Sequence, residues 1–177
     1  MIDEKIQANI LRKDAFTNII GQESLKNQLR SALLCQRSVI IVGSPGIGKT
    51  TLARNLAELL PEIEVVKDCQ FHCNPKDPIC PSCKSSKKLA SVKMKGSQRF
   101  VRVQGSPDLT VEDLIGDIDP IKALKFGPLS VQAFTPGKIF KSNNGILFFD
   151  EVNRCPEKLQ NALLQVLQEK KVTIGSY

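Results

Sequence analysis

The chain has 177 residues, 41% of them apolar, and a formal charge of +7, enough for one α/β core with a small appendage. No apolar run approaches the ~18 residues that span a bilayer, and the start, Met1-Ile2-Asp3-Glu4-Lys5, lacks the basic and apolar regions of a signal peptide, so a cytoplasmic location is expected. Six cysteines in that setting argue against a disulfide framework and for metal binding or buried thiols.

Residues 2–13 read as a short helix with Ile6 and Ile10 on one side, and residues 22–36 as a second with Leu25, Leu29, Ala32 and Leu33 on its buried stripe. Residues 38–42 (Ser-Val-Ile-Ile-Val) form a compact apolar run of the kind buried on both faces of a parallel sheet. A helix beginning at Lys49 carries Leu52, Ala53, Leu56 and Leu60 until Pro61 stops it. Residues 64–66 are a short extended piece. Over residues 68–84 cysteine, proline and aspartate crowd in and periodicity vanishes, which marks an insertion ordered by something other than a core.

Between Lys84 and Arg102 there are seven basic residues and no acidic one, which accounts for the whole charge excess. The stretch suits either a nucleic acid or acidic partner or a solvated, mobile connection; no aromatic ladder accompanies the lysines. Residues 99–103 alternate like a strand. Asp108 or Thr110 caps a short helix reaching Ile115, and the Gly- and Pro-rich residues 116–137 read as a hairpin or an excursion from the core. Asn143-Asn144-Gly145 is a turn, and residues 146–149 are a buried strand. Pro156 opens a helix with Leu159, Ala162, Leu163, Val166 and Leu167 on one face, after which residues 172–174 extend.

Gly43-Ser44-Pro45-Gly46-Ile47-Gly48-Lys49-Thr50 matches G-x-x-x-x-G-K-[ST] between a predicted strand and a predicted helix. Glycines let backbone N–H groups turn inward around phosphate oxygens, and the helix N-terminus adds a favourable dipole. Lys49 is placed to reach the β and γ phosphates and the Thr50 hydroxyl to ligate Mg²⁺; with Thr51 the run makes a candidate ATP site. The predicted strand Ile146-Leu147-Phe148-Phe149 delivers Asp150 and Glu151 at its C-terminal end, where α/β proteins bind ligands. Asp150 is expected to hold Mg²⁺ through water, and Glu151 to orient and deprotonate an attacking water, a hydrolase pattern.

With these motifs in hand, the sequence resembles the AAA+ ATPases, in the branch of magnesium chelatase subunit I and the MoxR proteins. Phe16-Thr17-Asn18-Ile19-Ile20-Gly21-Gln22-Glu23 is similar to the family's opening motif, which implies that the backbone near Ile20 and Gly21 lies by the adenine. Residues 60–66 and 69–75 are similar to the chelatase subunit, Val103-Gln104-Gly105-Ser106-Pro107-Asp108-Leu109 and Asp150-Glu151-Val152-Asn153-Arg154 to MoxR proteins, and Phe134-Thr135-Pro136-Gly137 to both. The resemblance implies a P-loop parallel sheet flanked by helices, in strand order 5-1-4-3-2, with a β-hairpin inserted into the second core helix over residues 116–137. It implies that Gln104 restrains the catalytic glutamate; Arg154 reads either as a contact to a neighbouring subunit or as a solvated arginine. Relatives continue with a sensor strand, a trans-acting arginine and a helical lid, so residues 1–177 are expected to be the N-terminal portion of one ATPase domain, incomplete at its C-terminus.

Within residues 68–84, Cys69 and Cys73 form C-x3-C and Cys80 and Cys83 form C-x2-C, with His72 as a substitute ligand. Structural zinc, free thiols and an iron–sulfur centre remain open, zinc leading on the chelate spacing. Cys35 is expected to be a small buried residue and Cys155 to start a helix. The function expected is ATP-driven remodelling of partner proteins by a ring-forming homo- or hetero-oligomer. The alternatives are a DNA-binding relative of MCM-type helicases, or a nucleotide-binding fragment without turnover.

Overall fold

The two apolar stripes near the start become helices α1 (Glu4–Leu11) and α2 (Glu23–Leu34). They are joined where the Arg30 Nε donates to the Ile10 carbonyl at 3.2 Å. The structure is a computed structural model and describes residues 4–11, 16, 19–35, 37–86, 88–128 and 130–169. The ends of the first two predicted helices, Thr17, Asn18 and the extension at residues 172–174 lie outside the described residues.

Helix α3 (Lys49–Glu58) buries Leu52, Ala53, Leu56 and Ala57. Leu52 and Leu56 pack with Phe16 and Leu29 into a first core. Beyond it, β1 (Ile63–Val66) is followed by α4 (Pro81–Ser85) and β2 (Ser91–Met94). The two strands pair antiparallel, Ile63 opposite Met94 and Val66 opposite Ser91. Strand β3 (Phe100–Gln104) leads to α5 (Val111–Ile115), which Thr110 caps by accepting from the Asp113 amide. Then come β4 (Gly116–Ile118), α6 (Pro120–Phe126), β5 (Phe134–Pro136) and α7 (Lys138–Lys141). β4 and β5 pair antiparallel, Gly116 opposite Pro136, so that α6 lies on the excursion between them. Strand β6 (Ile146–Asp150) and helix α8 (Glu157–Glu169) complete the described residues.

The element that positions the site is the parallel pair β3–β6, in which Phe100 lies opposite Ile146 and Gln104 opposite Asp150. Side chains alternate between the faces of a strand. Ile146 accordingly packs on the first core, while Val103, Leu147 and Phe149 face a second core with Leu114, Cys155 and Leu159. The pair is thus covered by α3 on one side and by α5 and α8 on the other. This is an α/β arrangement with a parallel sheet flanked by helices.

Three expectations are corrected. Residues 38–42 form no strand: Ile41 reaches the first core, but Val39, Ile40 and Val42 are 42%, 88% and 91% exposed. A strand has no hydrogen-bond partner of its own, and no described residue pairs with this run. Cys35 is exposed at the end of α2 rather than buried. The basic stretch is no loose connection, since it supplies β2, a 3₁₀ turn (Gly96–Arg99) and the start of β3. Within it Arg99 is buried, its guanidinium donating to the carbonyls of Pro61 and Asn144. Those two bonds tie the start of β1 to the turn before β6. Burial lowers the Arg99 pKa from its ordinary value.

Candidate functional site

The loop of residues 43–48 ends at Gly48, whose φ of 90° lies in the left-handed region that favours glycine. Gly48 occupies the N-cap of α3, and no side chain caps that terminus. The first-turn N–H groups are therefore left for an external acceptor, the arrangement that suits phosphate oxygens. Lys49 folds back over the loop, its Nζ donating to the carbonyls of Gly43 at 2.7 Å and Ser44 at 3.0 Å. Ser44, Pro45, Gly46 and Ile47 are exposed and Thr50 is half-buried in the first turn; Thr51, exposed beside it, accepts through its carbonyl from Asn55 Nδ2 at 2.8 Å. A cleft of about 660 Å³ runs from this turn past residues 38–42 to Ile19 and Ile20. Ile20 is 96% exposed at its edge, and Gly21, with φ 68°, turns the chain there into α2.

The acidic pair sits at the C-terminal end of β6. Asp150 Oδ2 accepts from Arg102 Nη2 on β3 at 2.8 Å. Glu151 follows in a left-handed conformation, φ 51° and ψ 45°, which turns its side chain off the strand line. Its Oε2 accepts from Gln104 Nε2 at 2.9 Å and from Arg154 Nη1 at 2.9 Å. Gln104 reaches Glu151 because the register sets it opposite Asp150. Arg154 lies within its own chain's reach of Glu151, in a half-exposed ion pair.

Sequence reasoning missed two residues here. Gly105 donates its amide to the Asp150 carbonyl at 2.8 Å, and a Cβ on it would lie 2.2 Å from the Glu151 carbonyl oxygen. Its signal is a glycine just past a predicted strand, before Ser106-Pro107. Arg102 belongs to the basic series and to the predicted strand, but its partner on β6 is set by strand register, which the sequence does not display.

Cys69, Cys73, Cys80 and Cys83 come together, their sulfurs all within 4.8 Å of one another. His72, the substitute ligand, is not in that group: it has φ 47°, and its buried Nδ1 has no hydrogen-bond partner among the described residues. Burial and then the Arg99 charge hold its pKa below the ordinary histidine value. Cys83 and Cys73 are pushed up, burial being the largest cause in each.

Comparison with known proteins gives two family matches. The ATPase family associated with various cellular activities (AAA) matches residues 78–177, and the magnesium chelatase subunit ChlI family matches residues 15–73. The chain is 38% identical over 152 residues to the magnesium-chelatase subunit ChlI homolog of Methanocaldococcus jannaschii, covering 84% of this chain and 40% of that protein. It is 40% identical over 158 residues to magnesium-chelatase subunit ChlI of Synechocystis sp., covering 84% and 42%. A structure of the complex between subunits BchI and BchD of magnesium chelatase superposes with a TM-score of 0.60 at 27% identity, over 87% of this chain and 46% of that one. The chain thus spans about two fifths of the curated relatives it matches. None of the described helices is long and apolar enough to cross a membrane.

Proposed function

From the premise that this chain belongs to the AAA family of ATPases, and within it resembles magnesium chelatase subunit I, we propose that it binds ATP with Mg²⁺ and forms the catalytic face of a motor subunit. That motor hydrolyses ATP to remodel a partner protein. The observation that supports the reading is the uncapped N-terminus of α3, a helix whose Leu52 and Leu56 pack in the core that Ile146 of β6 also meets, β6 being the strand that ends at Asp150. Bound MgATP supplies the phosphoric anhydride to be cleaved and a cation that spreads charge over its phosphates.

The chain's own residues do the rest. The loop amides of Ser44, Pro45–Gly46 and Ile47–Gly48 turn toward phosphate oxygens, proline contributing backbone shape but no donor. Lys49 would exchange its two carbonyl partners for phosphate oxygens, and Thr50, with Asp150 acting through water, would hold the cation. Glu151 orients a water and accepts its proton. Gln104 and Arg154 hold that carboxylate in place, and Gln104 releases it when the water is to be activated. Arg102 offsets the charge of Asp150. Ile20, on the far wall of the cleft, and Gly21 beside it would take the base. Ring assembly with further copies or sister subunits is consistent with the BchI–BchD complex of the structural relative. The basic stretch lends the nucleic-acid reading little support, because Arg99 is spent inside the fold and Arg102 on Asp150.

The test is a pair of substitutions. Lys49→Ala should weaken ATP binding by at least about tenfold, the loss of one charge-assisted contact. Glu151→Gln should bind ATP as the unsubstituted chain does and abolish hydrolysis in the ring-competent assembly. Equal loss of binding in both variants would show that Glu151 is misassigned.

A further inference from the structure

The cysteine-rich loop stands outside the nucleotide chemistry, and its thiols have a geometry of their own. The Cys69 and Cys80 sulfurs are 3.8 Å apart, well beyond a disulfide bond of about 2.05 Å. That spacing equals the edge of a tetrahedron of sulfurs around zinc, about 3.8 Å for Zn–S bonds of about 2.3 Å. Backbone amides already point at two of the sulfurs: the Cys80 N–H donates to Cys73 Sγ and the Cys83 N–H to Cys80 Sγ, each at 3.4 Å. Bonds of this kind delocalise the charge of a metal-bound thiolate and orient it. The second exists because Cys80 is the N-cap of α4, so that the C-x2-C turn wraps one sulfur inside its own first turn.

Cys73, Cys80 and Cys83 are 0%, 5% and 6% exposed, in a cluster whose other members are Val66, Cys69, Phe71 and Leu89. So small an apolar set orders a loop poorly without help. A soft divalent ion supplies it, whereas Mg²⁺ prefers oxygen donors.

We infer that Cys69, Cys73, Cys80 and Cys83 form a tetrathiolate site for one divalent cation of the zinc class, and that this knot braces the β4–β5 excursion. On loading, the four thiols give their protons to solvent and bind the ion as thiolates, with no change of oxidation state. The brace runs through Phe71, which lies between Cys69 and Cys73. Its ring stacks on Phe134 of β5 at 6.5 Å and meets Phe140 of α7 edge-on at 5.6 Å. Its carbonyl accepts from Asn143 Nδ2 at 2.7 Å, in the turn before β6. The loop that holds the ion is thereby bolted to β5, to α7 and to the turn before β6.

The experiment is metal analysis of the intact chain purified under reducing conditions, followed by hydrogen exchange with and without a chelator. One zinc per chain is expected, and Cys35→Ser, at an exposed thiol outside the cluster, should keep it while Cys83→Ser loses it. Co²⁺ exchanged into the site should give the intense visible absorption of tetrahedral thiolate coordination. On chelation, amides of residues 134–143 should exchange at least about tenfold faster while those of α3 do not. Absence of any metal, or iron accompanied by acid-labile sulfide, would overturn the site. Unchanged exchange at residues 134–143 after zinc removal would overturn the brace, and because that readout needs no substitution it holds even where Cys83→Ser does not fold.

Discussion

Gly105→Ala adds one methyl group at the junction between β3 and the acidic pair, with a cost that follows from the geometry. The new Cβ would lie 2.2 Å from the Glu151 carbonyl oxygen, 2.8 Å from its carbonyl carbon and 3.0 Å from the Asp150 carbonyl oxygen. All three are backbone atoms, so no flexible side chain can yield, and the two chain segments must separate. Overpacking of this kind costs roughly 1–3 kcal/mol, and separation also stretches the Gly105–Asp150 hydrogen bond, worth about 1 kcal/mol. The expected destabilisation is about 2–4 kcal/mol, a fall in Tm on the order of 10 °C for a chain of this size. Gly127→Ala is the comparator for backbone strain without a close approach: its φ of 91° and ψ of 144° lie in a region essentially reserved for glycine, and beyond its chain neighbours no atom lies within 4 Å of its Cβ position, so it should lose roughly 1–3 kcal/mol, all of it conformational. Thermal unfolding followed by circular dichroism measures both. A Gly105→Ala chain that melts with or above the unsubstituted protein would refute the close approach, and with it the placement of Glu151.

Arg99→Met leaves the Pro61 and Asn144 carbonyls without their buried donor; urea unfolding should show a loss of about 2–4 kcal/mol at unchanged m, and a change below about 0.5 kcal/mol would mean that water satisfies them. Ile40→Lys and Val42→Lys should each alter stability by less than about 0.5 kcal/mol, as for exposed positions. A buried strand would instead lose roughly 2–3 kcal/mol per site, so a loss of that size would restore residues 38–42 to a sheet.

The helices with an apolar stripe and the two motifs of the candidate nucleotide site were legible because each is written in consecutive residues, whereas the short α4, α6 and α7 were not. The stripes of α2, α3 and α8 repeat at the helical period, and α3 begins where the glycines end. Of the two caps the sequence offers, Asp108 and Thr110, the structure uses Thr110, whose partner Asp113 is three residues away. Clustering of the cysteines was legible too, since C-x3-C and C-x2-C close on themselves over a short span.

What the residues could not show is which distant segments face each other. Register places Gln104 opposite Asp150 and so within reach of Glu151, a contact that the family resemblance implied but residue patterning alone did not, and it gives Arg102 its carboxylate partner across 48 residues. Arg99 carries a charge, and local rules put charge on the surface. It is buried because two carbonyls far apart in the chain converge on its guanidinium. The same principle acts in reverse at residues 38–42, whose composition demands a strand while no described segment offers them a ladder. Local propensity and chelate spacing are properties of neighbours in sequence and can be read there. Pairing, burial and the partners of charged groups are properties of neighbours in space, and only the folded chain decides them.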